Sequence, residues 1–247
     1  MLQKYLPVFL VFLFGVLGCA STETIESTKV APSEIYQSYL IRASRNGTSV
    51  NTTFRVGGPT GSTVDLDAPA RVELNGKEMS ESKPGFLKGT DYNASFEQFV
   101  PVHRFKFTDS SGKVWENEIS LDALEITSGE ILFSKVGGGS LTISRPVGKD
   151  EIVEFSLVSE KTPPAPASNS NTGVKKPEMN YSTNLQVSFD QSGKTGKIDP
   201  VALKNFVDGR ATISLTVRKS KPAEQSAKGG SMDISYESQK AMVSVGN

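Results

Sequence analysis

The sequence predicts an all-β protein with an immunoglobulin-like β-sandwich architecture, arranged as two β domains joined by a Pro/Ser-rich linker. Most of the chain consists of short runs in which apolar and polar residues alternate between turn-forming residues, as is typical of a sandwich or barrel. Residues 35–160 show no helical periodicity longer than two turns. Residues 161–180 contain four prolines and many small polar residues, which indicates a linker or a long surface loop.

The composition excludes several classes of protein. The chain has 27 basic and 27 acidic residues and a formal net charge of zero, whereas a nucleic-acid-binding protein needs a basic surface to contact phosphates. One His and one Cys cannot form a His/Cys zinc site, and a single Cys excludes a disulfide within the chain. We therefore expect no nucleic-acid partner and no His/Cys zinc site, and we assign no metal ligand and no cofactor.

The first 18 residues have the pattern of a signal peptide. Lys4 supplies a positive charge, and the apolar run that follows, residues 5–17, is too short for a transmembrane helix of about 20 residues. We predict that residues 1–18 are removed and do not belong to the fold.

This apolar run ends in Val16-Leu17-Gly18-Cys19, which resembles the lipobox of bacterial lipoproteins. The resemblance covers only the first 20 or so residues and implies that Cys19 becomes the acylated first residue of the mature protein. Acyl chains of this kind bind stably to a lipid bilayer. Ala20 follows the cysteine, which by the enterobacterial sorting pattern implies the outer membrane, with the protein facing the periplasm or exposed at the surface.

Residues 19–34 are predicted to be the lipidated cysteine and a flexible tether, because residues 20–34 are rich in Ser, Thr and Glu and lack apolar periodicity. A β-sandwich domain is predicted over residues 35–160. Its candidate strands are residues 38–45, 49–56, 63–67, 71–74, 77–79, 92–99, 102–108, 113–120, 130–134, 140–144 and 151–158.

A smaller β domain is predicted over residues 181–247, after the linker at residues 161–180. Its candidate strands are residues 184–190, 210–219, 232–237 and 241–245. Between the first two of these lies the one clear helical signal of the chain. Asp199 is suited to cap the N-terminus of this helix, Pro200 to its first position and Gly209 to its end.

The hairpin around Asp109 and Gly112 has a register that the sequence itself predicts. A three-residue loop with Gly112 in the left-handed conformation pairs Phe107 with Trp115 and His103 with Ile119. One face of the hairpin is then apolar and the other carries complementary charges, which a slip of one residue would destroy. His103 is therefore predicted to face the core rather than to act as a base or metal ligand. Trp115 is predicted to be a core aromatic rather than a sugar-stacking platform.

Several groups of polar residues are candidate sites. Asn75-Gly76 predicts a tight hairpin that places Glu73 opposite Glu78, either as a surface pair or as paired carboxylates for acid/base chemistry or calcium. Asp65 and Asp67 are too few for a cation cage. Ser80 and Lys83 have serine–lysine spacing but no predicted helix to position them. The glycine-rich stretch 136–140 lacks the lysine of a phosphate-binding loop and is predicted to be a plain loop.

These observations predict a membrane-anchored cell-envelope lipoprotein that acts as a non-enzymatic binding or scaffold module. Cys19 is the single predicted site residue, and no catalytic residue is assigned. The bilayer is one expected partner, and an unidentified envelope protein or glycan is the other. Two alternatives stay open: an enzyme or enzyme accessory acting on envelope glycan or polysaccharide through acids such as Glu73 and Glu78, and a surface-displayed adhesin.

Overall fold

The computed structural model describes residues 24–83, 89–161 and 181–247. The predicted signal peptide, Cys19 and most of the predicted linker lie outside the described residues. None of the described residues belongs to a helix long and apolar enough to cross a membrane.

The described residues form nineteen strands, so the predicted all-β fold is confirmed. The strands are β1 (Thr24–Glu26), β2 (Ile35–Ser44), β3 (Gly47–Val56), β4 (Thr63–Asp65), β5 (Arg71–Leu74), β6 (Lys77–Glu78), β7 (Ser80–Ser82), β8 (Asp91–Phe96), β9 (Val102–Thr108), β10 (Val114–Ser120), β11 (Ile131–Ser134), β12 (Gly139–Thr142), β13 (Glu151–Ser159), β14 (Ser182–Leu185), β15 (Val187–Phe189), β16 (Thr195–Ile198), β17 (Gly209–Pro222), β18 (Gly230–Glu237) and β19 (Ala241–Gly246). Short 3-10 helices cover Ser27–Lys29 and Pro32–Glu34. Three strands, β1, β7 and β16, are absent from the predicted set.

The predicted helix forms as a single turn, α1 (Pro200–Leu203). The side chain of Asp199 accepts a hydrogen bond from the amide of Val201 at 2.8 Å, which confirms the predicted cap. Gly209 does not end this helix but begins β17, with a positive φ of 124°.

One large sheet runs through the molecule, and a smaller sheet packs against each half of it. The large sheet has the order β1-β4-β3-β2-β18-β17-β13-β14, with β8 and β7 added on β3 and with β19 and β11 added on β17. The sheet β10-β9-β5-β6 covers its first half, where Phe54 stacks on Phe107 with ring centroids 4.5 Å apart. The sheet β12-β16-β15 covers the second half, where Phe155 approaches Phe189 at 6.2 Å. These stacked sheets form the predicted immunoglobulin-like sandwich architecture.

The strands divide between the two halves differently from the predicted domains of residues 35–160 and 181–247. β13 and β14 flank the predicted linker, yet they pair with each other in one sheet. The 14 residues of β17 pair with β19 and β13 at one end and with β18 at the other, and β18 lies parallel to β2. The first sandwich therefore consists of residues 24–83, residues 89–120 and β18, and the second of residues 121–161, β14–β16, β19 and most of β17. Along the chain, the Pro/Ser-rich segment therefore connects two strands that pair with each other. Its composition does not reveal this pairing, because strand partners are chosen by long-range packing.

The predicted flexible tether at residues 19–34 is wrong from Thr24 onward. β1 pairs in parallel with β4, and the hydroxyls of Thr24 and Thr63 are 3.0 Å apart. The hydroxyl of the buried Ser27 accepts a hydrogen bond from the amide of Asp67 at 2.9 Å. Val30 is buried in the core. Ser and Thr are common in tethers, but here the Thr24 hydroxyl bonds the hydroxyl of Thr63 and the Ser27 hydroxyl bonds the backbone of Asp67.

Two hairpins, one in each sandwich, share the sequence Asp-x-Ser-Gly-Lys. They connect β9 to β10 at residues 109–113 and β15 to β16 at residues 190–194. In each, the glycine has a positive φ, 83° at Gly112 and 68° at Gly193, and its amide donates to the aspartate carbonyl at 2.9 Å. The register predicted for the first hairpin is confirmed, with Phe107 opposite Trp115.

Candidate functional site

The paired carboxylates Glu73 and Glu78 lie opposite each other as predicted, but they face different depressions. Glu73 forms ion pairs with Arg71 Nε at 3.1 Å and with Lys106 Nζ at 3.7 Å. It lines a cavity of about 360 Å³ on the outer face of the sheet β10-β9-β5-β6. Glu78 is exposed and lines a separate cleft of about 430 Å³ beside β8. The hypothesis of a glycan-active pair requires both acids to line one pocket. The two acids do not converge in this way.

His103 lies in the core, as predicted. Its side chain is buried, and neither ring nitrogen has a hydrogen-bond partner among the described residues. Burial lowers the pKa of His103 to about 4, because charging the ring away from water is unfavourable. The imidazole is therefore neutral at physiological pH and packs opposite Ile119.

Trp115 is partly buried against the core, and its ring face is already covered. The ammonium of Lys113 lies 3.8 Å from the centre of the indole ring, and Trp115 Nε1 donates to Asp109 Oδ2 at 3.1 Å. These contacts support the predicted packing role and leave the indole without the open face that a stacking sugar needs.

Asp109 organises the hairpin beneath this tryptophan. Its Oδ1 accepts hydrogen bonds from the Ser111 amide at 2.9 Å, the Ser111 hydroxyl at 2.6 Å and the Lys113 amide at 3.1 Å. Burial alone would raise the pKa of Asp109, but the hydrogen bonds from Ser111, Trp115 and Lys113 hold this pKa below its usual range. A carboxylate that is both buried and fully bonded acts here as a structural group.

Replacing Asp109 by Ala is expected to lower the free energy of unfolding by about 2 kcal/mol, since hydrogen bonds to a charged acceptor are lost. Trp115 is the only tryptophan in the chain, so its fluorescence emission should also shift toward that of exposed indole. The matched control is Asp190→Ala in the second hairpin, where an exposed aspartate binds Ser192 and Thr195 but no tryptophan. An emission shift in the control as large as that in Asp109→Ala would contradict the assignment.

Of the other sequence candidates, Asp65 and Lys83 form an ion pair rather than a reactive site. Lys83 Nζ lies 2.7 Å from Asp65 Oδ2 and 2.8 Å from Glu81 Oε1. Hydrogen bonds to Asp65 and Glu81 raise the pKa of Lys83, so this amine stays protonated and cannot act as a base toward Ser80. Asp67 lies beyond the end of β4. No group of three or more His, Cys, Asp or Glu side chains able to hold a metal occurs in the parts of the chain that the structure describes.

Residues 136–138 of the glycine-rich stretch lie in the connection between β11 and β12, as predicted, whereas Gly139 and Ser140 belong to β12. The amide of Gly138 donates to the Ser134 carbonyl at 2.8 Å, and the amide of Ser134 donates back to the Gly138 carbonyl at the same distance. Gly138 has a positive φ of 74°, and a Cβ at this position would lie 2.2 Å from the carbonyl oxygen of Ile198. These glycines therefore serve close backbone packing.

The outer face of the large sheet is polar. Exposed apolar side chains such as Ile152, Val158 and Met242 occur singly among polar and charged groups, which is ordinary for a solvated sheet. The uncharged polar residues of this face include Ser38, Ser49, Asn51, Asn93, Ser95, Ser156, Ser182, Asn184, Thr212, Ser214, Thr216 and Ser235.

The strand edges differ in how they are protected. At the edge of β10, the amide of Glu116 donates to the Gln225 side chain at 3.0 Å, and Asn117 bonds both backbone groups of Gln225. The edge strand β6 consists of the charged pair Lys77 and Glu78. Both devices prevent a foreign strand from adding to the sheet.

The edge formed by β14 and β15 has neither device. β14 pairs with β13 alone and β15 with β16 alone, so residues 182–189 cross from the large sheet to a small one with one side unpaired among the described residues. Residues 181–189 contain no charged residue, no Pro and no Gly. Leu185 is buried, and Val187 and Phe189 pack against the core, which holds this edge in an extended shape. We call residues 181–189 the open edge.

The alternation of residues predicts a strand here, at 184–190, but does not reveal that it lies at an edge. The signal that was available is the absence of charge over nine residues, which is uncommon for an exposed edge. Cys19, the single predicted site residue, lies outside the described residues.

Comparison with known proteins identifies no family. No family model matches the chain, and no curated protein matches it. Among solved structures, the chain is similar to the extracellular cadherin domains 1–4 of protocadherin gamma B7, with 10% identity and a TM-score of 0.21 over 81% of this chain and 57% of that one. It is also similar to the extracellular domain of protocadherin gamma B4, with 12% identity and a TM-score of 0.19 over 87% of this chain and 34% of that one. The chain thus spans about a third to just over half of these proteins.

Proposed function

We propose that the protein is a lipid-anchored module of the bacterial cell envelope that binds or scaffolds a partner without catalysing a reaction. The lipobox residues 16–19 support the anchor. The observation that carries the binding role is the open edge, since an unpaired row of backbone groups takes up an extended segment of another polypeptide by strand addition.

The chemistry of the open edge favours a polypeptide partner. In an antiparallel pair, about half of the backbone N–H and C=O groups of an edge strand point away from its neighbour. At β14 and β15 these groups face outward without a charged side chain that the partner would have to desolvate. The partner strand would thus gain backbone hydrogen bonds, and the exposed Ser182 and Asn184 would contact its side chains.

Lipidation is tested by growing a bacterial host that expresses the full chain with labelled palmitate. We expect label on the wild-type protein and none on Cys19→Ala, which has no thiol to modify. A wild-type protein without label would contradict the anchor and leave the edge proposal to be judged separately.

The edge is tested by placing a photo-crosslinking amino acid at Ser182 in living cells. We expect an adduct whose yield falls severalfold in a second variant, Asn184→Lys, because a lysine at the edge opposes strand addition. The matched control is Ser156→Lys, which introduces the same charge directly opposite Asn184 on the interior strand β13. Equal yields in the two lysine variants, or no adduct from Ser182, would overturn the edge proposal.

The mass of the adduct decides the kind of partner. An adduct with a different envelope protein supports a scaffold or binding role. An adduct with a second copy of this chain would replace this role with self-association through the same edge.

A further inference from the structure

We infer that the first sandwich lies directly against the lipid surface and that the second sandwich, with the open edge, is held away from it. This inference rests on the proposed acylation of Cys19. It concerns which surface of the protein contacts the membrane. The predicted longer tether would allow any surface to do so.

The tether available to the fold is short. Only residues 20–23 separate Cys19 from Thr24, the first residue of β1. Five residue steps of fully extended chain span at most about 18 Å. A protein held by so short a segment cannot turn freely above the membrane, and the surface nearest Thr24 must remain close to the lipid headgroups.

The start of β1 is firmly attached to the first sandwich. Thr24, Ile25 and Glu26 pair in parallel with β4, and Ile25 packs against the hydrophobic core. Ser27 is buried and bonded to the backbone of Asp67. The tether could become longer only if these contacts broke. Thr24 is therefore the residue at which the tether is attached to the folded protein.

The direction of the strands places other segments beside Thr24. The register runs across the sheet from Thr24 to Thr63 on β4, Arg55 on β3 and Tyr36 on β2. Because β1 and β4 both begin at this level, the turn between β3 and β4 lies at the same end of the sandwich as the tether. This turn, residues 57–62, carries no charge, and its Pro59 and Thr60 are exposed. Nothing in it repels anionic lipid.

The same register places the open edge at the other end of the large sheet. β18 begins parallel to β2 at this level, and Pro222 at the end of β17 pairs with Ser231. Ser182 lies opposite Val158, which pairs with Thr212, ten residues earlier on β17. Ten residues of strand measure about 33 Å. β14 is also seven strands across the sheet from β1, which increases the separation.

In this arrangement the first sandwich contacts the bilayer, because the anchor is attached at its end. β17 extends from this end to the second sandwich, whose open edge lies away from the bilayer. A partner could then reach this edge without competing with lipid.

The test uses the full-length acylated protein in vesicles of phosphatidylethanolamine and phosphatidylglycerol that carry an energy-transfer acceptor on the headgroups. Since acylation consumes the Cys19 thiol, a new cysteine is the only one that a donor dye can label. One variant is Thr60→Cys in the β3–β4 turn, and the other is Val136→Cys, which is 80% exposed in the β11–β12 connection of the second sandwich. We expect strong transfer from position 60 and several times less from position 136.

The matched control inserts a Gly/Ser segment of about 15 residues between Glu23 and Thr24, which permits free rotation. The difference between the two labels should then largely disappear. Equal transfer from both positions without the insert would overturn the inference, provided that the protein floats with the vesicles. Failure to float would instead show that the proposed anchor is wrong, and the inference would fall with it.

Discussion

Lowering the pH from 7 to 5 is expected to reduce the free energy of unfolding by about 2 kcal/mol, through His103 alone. Burial lowers the pKa of His103 to about 4 in the native state, whereas an unfolded chain has a histidine pKa of about 6.5. Between these values the unfolded chain binds a proton that the native state does not bind. Each pH unit in this window is therefore worth about 1.4 kcal/mol.

The sign of the effect follows from the lowered pKa. The full contribution is present above about pH 6.5 and is lost progressively as the pH falls toward 4. His103 is the only histidine in the chain, and the pKa values of Asp109 and Glu151 are held below their usual range. The lowered pKa values of these two carboxyl groups confine their effect on stability to more acidic solution.

Urea unfolding at pH 7 and pH 5 measures this dependence, with His103→Leu as the decisive variant. The leucine should remove most of the pH dependence. It should cost little at pH 7, since both imidazole nitrogens lack partners among the described residues and an apolar side chain loses no hydrogen bond there. An unchanged pH dependence in His103→Leu would contradict this account.

Replacing Asn117 by Ala is expected to lower the free energy of unfolding by about 3 kcal/mol. The buried amide of Asn117 donates to the Gln225 carbonyl at 2.8 Å and accepts from the Gln225 amide at 3.0 Å. It also lies 3.4 Å from the side-chain oxygen of Gln37, which accepts from the Tyr39 hydroxyl at 2.7 Å. Alanine would leave several of these groups without partners in the protein interior.

The matched control is Gln225→Ala, which keeps the backbone groups that Asn117 bonds and removes only an exposed side chain with its hydrogen bond from the Glu116 amide. Chemical unfolding should show a much smaller loss for this control. Hydrogen exchange at the amide of residue 225 should accelerate in Asn117→Ala and change little in the control. Equal losses of stability in both variants would mean that the side chain of Gln225, and not the Asn117 amide, holds the loop on β10.

The local parts of the fold could be predicted because their causes are local. The Asp109 hairpin has a turn with a required glycine and a pattern of apolar and charged residues that only one register satisfies, and the structure has this register. The same holds for the Asp199 cap, where the side chain and the amide it bonds are two residues apart. Alternation of apolar and polar residues located most strands to within a few positions, because the side-chain period of a strand is two.

The partners of the strands could not be predicted in this way. β18 lies between β2 and β17, although more than 190 residues separate the paired residues Gly230 of β18 and Gln37 of β2 along the chain. Many strands of this sequence have compatible alternation, so the choice among them depends on how all the side chains of the core pack together. The predicted domain boundary failed for this reason, since a proline-rich segment does not reveal which strands pair around it.

The sequence alone therefore determined the all-β class, the hairpin registers and the core-facing position of His103, each of which depends on residues a few positions apart. The lipobox resemblance at Cys19 is likewise a feature of the sequence, and the acylation it implies stays a prediction. The tertiary structure alone decided that Thr24 is fixed to β4, that Glu73 and Glu78 face different clefts and that residues 181–189 form an open edge. Each of these is a relation between distant segments, and its energy comes from contacts that exist only once the sheets have packed.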